Sequence, residues 1–137
     1  MLLKEEVQPR KIRILLADDH SIVRKQLAIR LSSEPDLEIV EVASNSRETF
    51  QKAQATHPHI LLIDPLMRDG LGVATLRQVR VNFPEIIIVV LTAYVDTMLK
   101  MHIQRMGVRH ILTKGIVSSE LVAELREAAS TRSSDRL

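Results

Sequence analysis

Five polar residues stand where apolar runs stop. Asp18 and Asp19 follow "KIRILLA", Asp64 follows "HILLI", Thr92 closes "IIIVVLT" and Lys114 follows "RHILT". Singly, each has an ordinary explanation as a turn residue, a helix cap or a solvated charge. Together they point further: carboxylates crowded on one rim repel and raise one another's pKa values unless a cation joins them. Hard oxygen donors in that number suit Mg²⁺, which takes one or two carboxylates directly and fills its octahedron with water and phosphate oxygens. A lysine and a hydroxyl facing the acids would then serve a phosphoryl group. Aspartate is a covalent nucleophile for such groups, so the chemistry to expect is phosphoryl transfer onto a carboxylate.

That chemistry requires a fold that brings the five residues to one edge. The runs from Lys11, Leu37, His59, Ile86 and Arg109 are of strand length, and several are rich in Ile and Val. Helical periods lie between them: Ile22, Val23, Leu27 and Leu31 mark one face, and Leu121, Val122, Leu125, Ala128 and Ala129 another. Asn45 with Glu48 reads as a capping box, Ser118 with Glu120 as another helix start, and Gly107 as a helix stop before the fifth run. Strand alternating with helix five times, with the third and fourth runs apolar nearly throughout, predicts a doubly wound α/β sandwich on a parallel sheet. Ligands in such sheets sit outside the carboxyl ends of the strands, where all five polar residues would lie.

Composition narrows the function classes. A chain of 137 residues with 45% hydrophobic content supports one core and is short for two ordinary domains. Without cysteine, neither disulfides nor thiolate metal sites are available. A formal charge of +2 is too small to argue for nucleic acid, and aromatics at 2% make a base-stacking surface implausible, so no direct nucleic-acid binding is expected. No run reaches the roughly twenty apolar residues of a membrane span, and the first eleven residues carry charge where a signal peptide is apolar, which leads to a cytoplasmic expectation. Residues 1–10 and 130–137 read as mobile ends around a domain spanning 11–129.

Four motifs in order carry a family resemblance: "LLADDH" (Leu15–His20), "LLIDPLMRDG" (Leu61–Gly70), "VLTAY" (Val90–Tyr94) and "GVRHILTKG" (Gly107–Gly115). With them the chain resembles a response-regulator receiver domain of bacterial two-component signalling. "ADDHSIVRKQL", "EPDLEIV" and the non-proline after Lys114 are similar to receivers joined to LuxR-type helix-turn-helix regulators. The resemblance implies a flavodoxin-like (βα)5 sandwich with strand order 2-1-3-4-5. It also implies a signalling protein that is no enzyme beyond self-phosphorylation and autodephosphorylation. Asp64 would accept the phosphoryl group from a histidine kinase or phosphotransfer protein. Asp19, Asp64 and the backbone carbonyl of Leu66 would hold Mg²⁺, with Asp18 acting through metal-bound water. Lys114 and Thr92 would contact the phosphoryl oxygens, and the amides of Leu66 and Ala93 would complete the cradle. Output would pass to an unknown partner protein or a homodimer.

The chain departs from that pattern at several positions. Pro65 follows the acceptor and removes a backbone donor, Arg68 stands where most receivers have proline, and Ile111 replaces the usual aromatic switch residue. Gly115 replaces a proline whose preceding bond is often cis, so the Lys114–Gly115 bond is expected to be trans or else held by the phosphoryl site. Arg68 is expected to be solvated, whereas Tyr94 is weighed evenly as a partial lid or a packing residue. The five histidines show no metal-ligand spacing, and Lys100, Arg105, Arg109 and His110 would form a basic face. Three other readings compete. A degenerate receiver acting as an interaction module is opposed by the intact acid, hydroxyl and lysine set. A small-molecule phosphatase would need a second acid two residues beyond a first-strand nucleophile, which "DDH" lacks. A fragment of a DNA-binding regulator would use the segment after Ser130 as a linker; too few residues follow Ala129 to build the DNA-binding region itself.

Overall fold

The structure, a computed structural model, describes residues 11–134. In chain order the elements are β1 (Ile12–Ala17), α1 (Ser21–Ser32), β2 (Leu37–Ala43), α2 (Ser46–Thr56) and β3 (Ile60–Ile63). These are followed by α3 (Gly72–Asn82), β4 (Ile87–Thr92), α4 (Thr97–Arg105), β5 (His110–Thr113) and α5 (Ser118–Ser134). The strands form one sheet in the order β2-β1-β3-β4-β5, and every pairing is parallel. This is the flavodoxin-like sandwich expected from the sequence.

Alternation along the strands assigns each side chain to a layer. Ile14, Leu16, Ile60, Leu62, Val89 and Leu91 pack with Leu27 and Leu31 of α1 and Leu121 and Leu125 of α5. Leu15, Ala17, Leu61, Ile63, Ile88 and Val90 face the other way, against Ala53 of α2, Leu76 and Val79 of α3 and Ile103 of α4. All four residues of β3 are buried, because the central strand is covered on both faces. Side chains of this kind contribute about 1.5–3 kcal/mol each when fully buried.

The helix ends show what local chemistry sets the boundaries. Asn45 accepts from the Glu48 amide at 2.8 Å, as a cap should, but the Glu48 carboxylate reaches the Ser44 amide and hydroxyl. The capping box is thus displaced outward by one residue on its return arm. Asp96 caps α4 by accepting from the Met98 amide at 2.7 Å. Gly107 takes φ +93° after α4, the left-handed stop that glycine tolerates best.

Two expectations need correction. Ile22 does not belong to the buried face of α1, for it is 70% exposed while Leu27 and Leu31 carry the packing. The last helix does not stop at Ala129 but continues through Ser134, so residues 130–134 are helical. Amphipathic period marks where a helix packs, and an all-polar last turn carries no such mark. Residues 1–10 and 135–137, the rest of the ends expected to be mobile, lie outside the described residues.

Candidate functional site

Sheet hydrogen bonding runs one residue past three strands and fixes the site. The Asp18 amide donates to Ala43 O at 3.0 Å, the Asp64 amide to Ala17 O at 3.0 Å, and the Lys114 amide to Thr92 O at 2.7 Å. Each charged residue therefore leaves the sheet with its backbone still tied to the neighbouring strand. Their side chains converge: Lys114 Nζ lies 2.6 Å from Asp18 Oδ2 and 2.7 Å from Asp64 Oδ2. Asp18 and Asp64 are only 2% and 3% exposed. Burial pushes the Lys114 ammonium down, but the hydrogen bonds and charges of the two carboxylates outweigh it and hold it above the usual lysine range.

Asp18 is braced from its own side of the sheet. Its Oδ1 accepts from the His20 amide at 2.8 Å and lies 2.9 Å from His20 Nδ1, and its carbonyl accepts from Arg24 at 2.7 Å. Asp19 is held from the other side. Its Oδ2 accepts from the Arg68 amide at 2.6 Å and from Arg68 Nε at 3.2 Å, while its carbonyl accepts from the same guanidinium at 3.1 Å. Burial raises the Asp19 pKa, but the Arg68 amide and guanidinium, with His20 nearby, bring it below the usual carboxylate range. Its second oxygen, Oδ1, is buried without a hydrogen-bond partner, although His20 Nδ1 stands 3.3 Å away.

That orphaned oxygen is the test for a metal. Buried acceptors ordinarily find a donor, and one that does not calls for an ion or another partner. Asp18, Asp19 and His20 each bring one donor atom within 4.8 Å of the others. The residues therefore fit a divalent cation bound mainly by oxygen.

The remaining predicted residues frame the pocket unequally. The Leu66 amide donates to Asp64 Oδ1 at 2.9 Å, which places it on the candidate acceptor itself. Thr92 is 1% exposed, but its hydroxyl reaches the Tyr94 carbonyl at 3.4 Å and is not joined to the Asp64–Lys114 pair. Ala93 is exposed just beyond it. Tyr94 is 66% exposed, which settles the even choice against a packed ring, and Ile111 packs partly buried against the α2–α4 layer. None of the described peptide bonds is cis, Lys114–Gly115 included.

Sequence reasoning missed the supports of the acceptor loop. Asp69 accepts from the Ser46 amide at 2.7 Å, the Ser46 hydroxyl at 3.0 Å and the Leu71 amide at 2.9 Å, which ties the loop to the start of α2. Gly72 opens α3 against this loop, and a Cβ there would overlap the Pro65 carbonyl. Asp69-Gly70 reads only as a turn, and nothing in the sequence identifies its partner 23 residues upstream. His20 stands beside the acid pair in the sequence but also at a helix entry, which favours an ordinary role; only the folded geometry brings its Nδ1 to 2.9 Å from Asp18 and 3.3 Å from Asp19. Arg68 is solvent-exposed as expected, at 79%, yet it is also bound to Asp19.

The residues expected to form one basic face, Lys100, Arg105, Arg109 and His110, are divided: Arg105 lines one cavity, Arg109 and His110 another, and Lys100 neither. Arg77, Arg80, His102 and Arg105 line an open groove between α3 and α4. A second cavity, at the amino-terminal end of β5, adds Arg109 and His110. Arg80 also has a structural task, donating to the Met106 carbonyl at 3.2 Å at the end of α4.

A buried acid pair, a third acid and a bridging lysine at the carboxyl edge of a 2-1-3-4-5 sheet define a receiver-type signalling module. The family model described as "Response regulator receiver domain" matches residues 14–126, and the chain belongs to that family. It is 29% identical over 116 residues to the oxygen regulatory protein NreC of Staphylococcus carnosus, covering 84% of this chain and 54% of that protein. It is 29% identical over 122 residues to the response regulator protein VraR of Staphylococcus saprophyticus, covering 89% and 58%. The chain thus spans about half the length of these curated relatives. Among solved structures, a LuxR-family two-component response regulator from Aurantimonas matches with TM-score 0.83 at 24% identity, over 89% of this chain and 87% of that one. The response regulator domain of Thermotoga maritima CheB matches with TM-score 0.81 at 23% identity, over 88% and 98%.

Proposed function

We infer that this receiver accepts a phosphoryl group on Asp64 from a histidine kinase or phosphotransfer protein and thereby alters its binding to an output partner. The observation that carries this reading is Lys114 held at 2.7 Å from a carboxylate that is 3% exposed at the rim of the sheet. An Asp64 oxygen would form the new bond to phosphorus as the bond to the donor nitrogen breaks, with the leaving imidazole keeping the electron pair. Such transfers have a loose transition state, so positioning and charge stabilisation do most of the catalysis. Lys114 Nζ would move from the carboxylate to the phosphoryl oxygens, while the Leu66 and Ala93 amides and the Thr92 hydroxyl offer further donors. A Mg²⁺ ion held by Asp18, Asp19, Asp64 and the Leu66 carbonyl would supply positive charge for the phosphoryl oxygens. The chain's own part is to keep Asp64 oriented, through Lys114 and the Leu66 amide, before the donor arrives.

The test is intact mass after incubation with acetyl phosphate, with and without Mg²⁺, for the protein and for Asp64→Asn. One Mg²⁺-dependent phosphoryl adduct, absent in the variant, is expected. No adduct in a folded protein would reject the reading and leave a phosphorylation-independent interaction module. A second reading places this receiver in control of a DNA-binding region. It draws on the relative NreC, of which this chain covers only 54%, and on a matched Staphylococcus aureus structure, that of a DNA-binding response regulator of the LuxR family.

A further inference from the structure

We propose that Arg68 is a built-in cation of this site, which acts through Asp19 to lower the affinity of the acid cluster for a divalent metal ion. The inference rests on the metal reading above and concerns how strongly that site binds. Arg68 approaches Asp19 with its amide, its Nε and a terminal guanidinium nitrogen, and two of these meet on the single oxygen Oδ2. The opposite oxygen is buried without a hydrogen bond, 3.3 Å from His20 Nδ1. One half of the carboxylate is thus spent on a fixed positive group, and the other half remains for an incoming ion.

Charge makes the direction of the effect definite. With His20 neutral, the three carboxylates and Lys114 leave two net negative charges, and the guanidinium bound to Asp19 reduces this to one. A divalent ion is attracted less by the smaller charge and is repelled directly by the arginine. Arg68 is 79% exposed, so water screens the effect to roughly three- to tenfold in affinity. The Arg68 amide on Asp19 is a backbone donor that every side-chain substitution retains, and the Lys variant keeps the charge while losing the guanidinium geometry. Arg68 is therefore a positioning and tuning residue and not a catalytic one.

The experiment is calorimetric titration of the full chain with MgCl₂ at low ionic strength, for the protein and for Arg68→Ala, Arg68→Gln and Arg68→Lys. Tighter binding by roughly three- to tenfold in the Ala and Gln variants, with Lys matching the parent, is the expected result. The advantage should shrink as salt is added. Equal affinity in all four proteins would overturn the proposal and leave Arg68 as a solvated side chain. Weaker binding in the Ala variant would also overturn it, by showing that the guanidinium orients Asp19 more than it repels the ion. No binding by any of the four would instead overturn the metal reading of the acid cluster, and the proposal would fall with it.

Discussion

Lys114 bridges two carboxylates that have almost no contact with water. Removing it takes the shared ammonium from both carboxylates and leaves them only their amide and His20 contacts in a poorly solvated pocket, a more costly situation than losing a surface ion pair. Lys114→Met is expected to lose on the order of 3 kcal/mol at neutral pH, measured by urea unfolding. The pH dependence has a definite sign. A lysine whose folded pKa lies above its ordinary value stabilises fully below that ordinary value of 10.5, and the contribution is lost as pH rises through the folded value. The gap between parent and variant should stay constant from pH 7 to about pH 10 and close above it. A gap that closed at mild pH would show that the pairing is not what stabilises the fold. Asp18, Asp19, Asp64 and Lys114 were legible in the sequence because a charged residue ending an apolar run is conspicuous and a parallel sheet gathers such residues. His20 and Arg68 were not, since their roles depend on which carboxylate oxygen each one faces, and spacing along a chain carries no such information.

At the scale of elements, the acceptor loop between β3 and α3 is built against its neighbours. Asp69 supplies an acceptor to an otherwise orphaned amide at the start of α2, so Asp69→Ala should cost about 1 kcal/mol in chemical denaturation at neutral pH. Burial raises the Asp69 pKa, but the amides of Leu71 and Ser46 lower it by more, and the net shift is downward. A depressed acid stabilises above its unfolded pKa, and its contribution disappears as pH falls through the folded value. The two proteins should therefore converge only below about pH 4. Gly72→Ala would force a Cβ into the Pro65 carbonyl, one residue from Asp64. The expected outcome is a loss of about 1–3 kcal/mol, together with slower adduct formation from acetyl phosphate. An unimpaired variant would mean that α3 can slide away without moving the acceptor. Gly72 escaped notice because glycine beside the "DG" turn has an ordinary loop explanation, whereas the actual reason is a close approach between two backbones.

For the whole molecule, the two layers share the sheet residue by residue, so truncation at its centre is felt on one side only. Leu61 is fully buried against the α2–α4 layer, and Leu61→Ala should cost roughly 2–5 kcal/mol with an unchanged denaturant slope. A loss below 1 kcal/mol would mean that the layer collapses easily into the space. The sandwich, its strand limits and most of its buried positions were readable from run length and periodicity. The end of α5 was not, because residues 130–134 are all polar and carry no apolar period in the sequence.

Helix α4 has one buried side chain, Ile103, and its final turn is secured from outside by Arg80 on the Met106 carbonyl. Few apolar contacts anchor it compared with α1 or α5, which places it low on the ladder of local opening free energies. Its amides should exchange with deuterium well before those of β3 and β4, through excursions that leave the sheet intact. The protein would then behave as a rigid slab carrying one loosely latched helix, whose latch is a single arginine from the neighbouring helix.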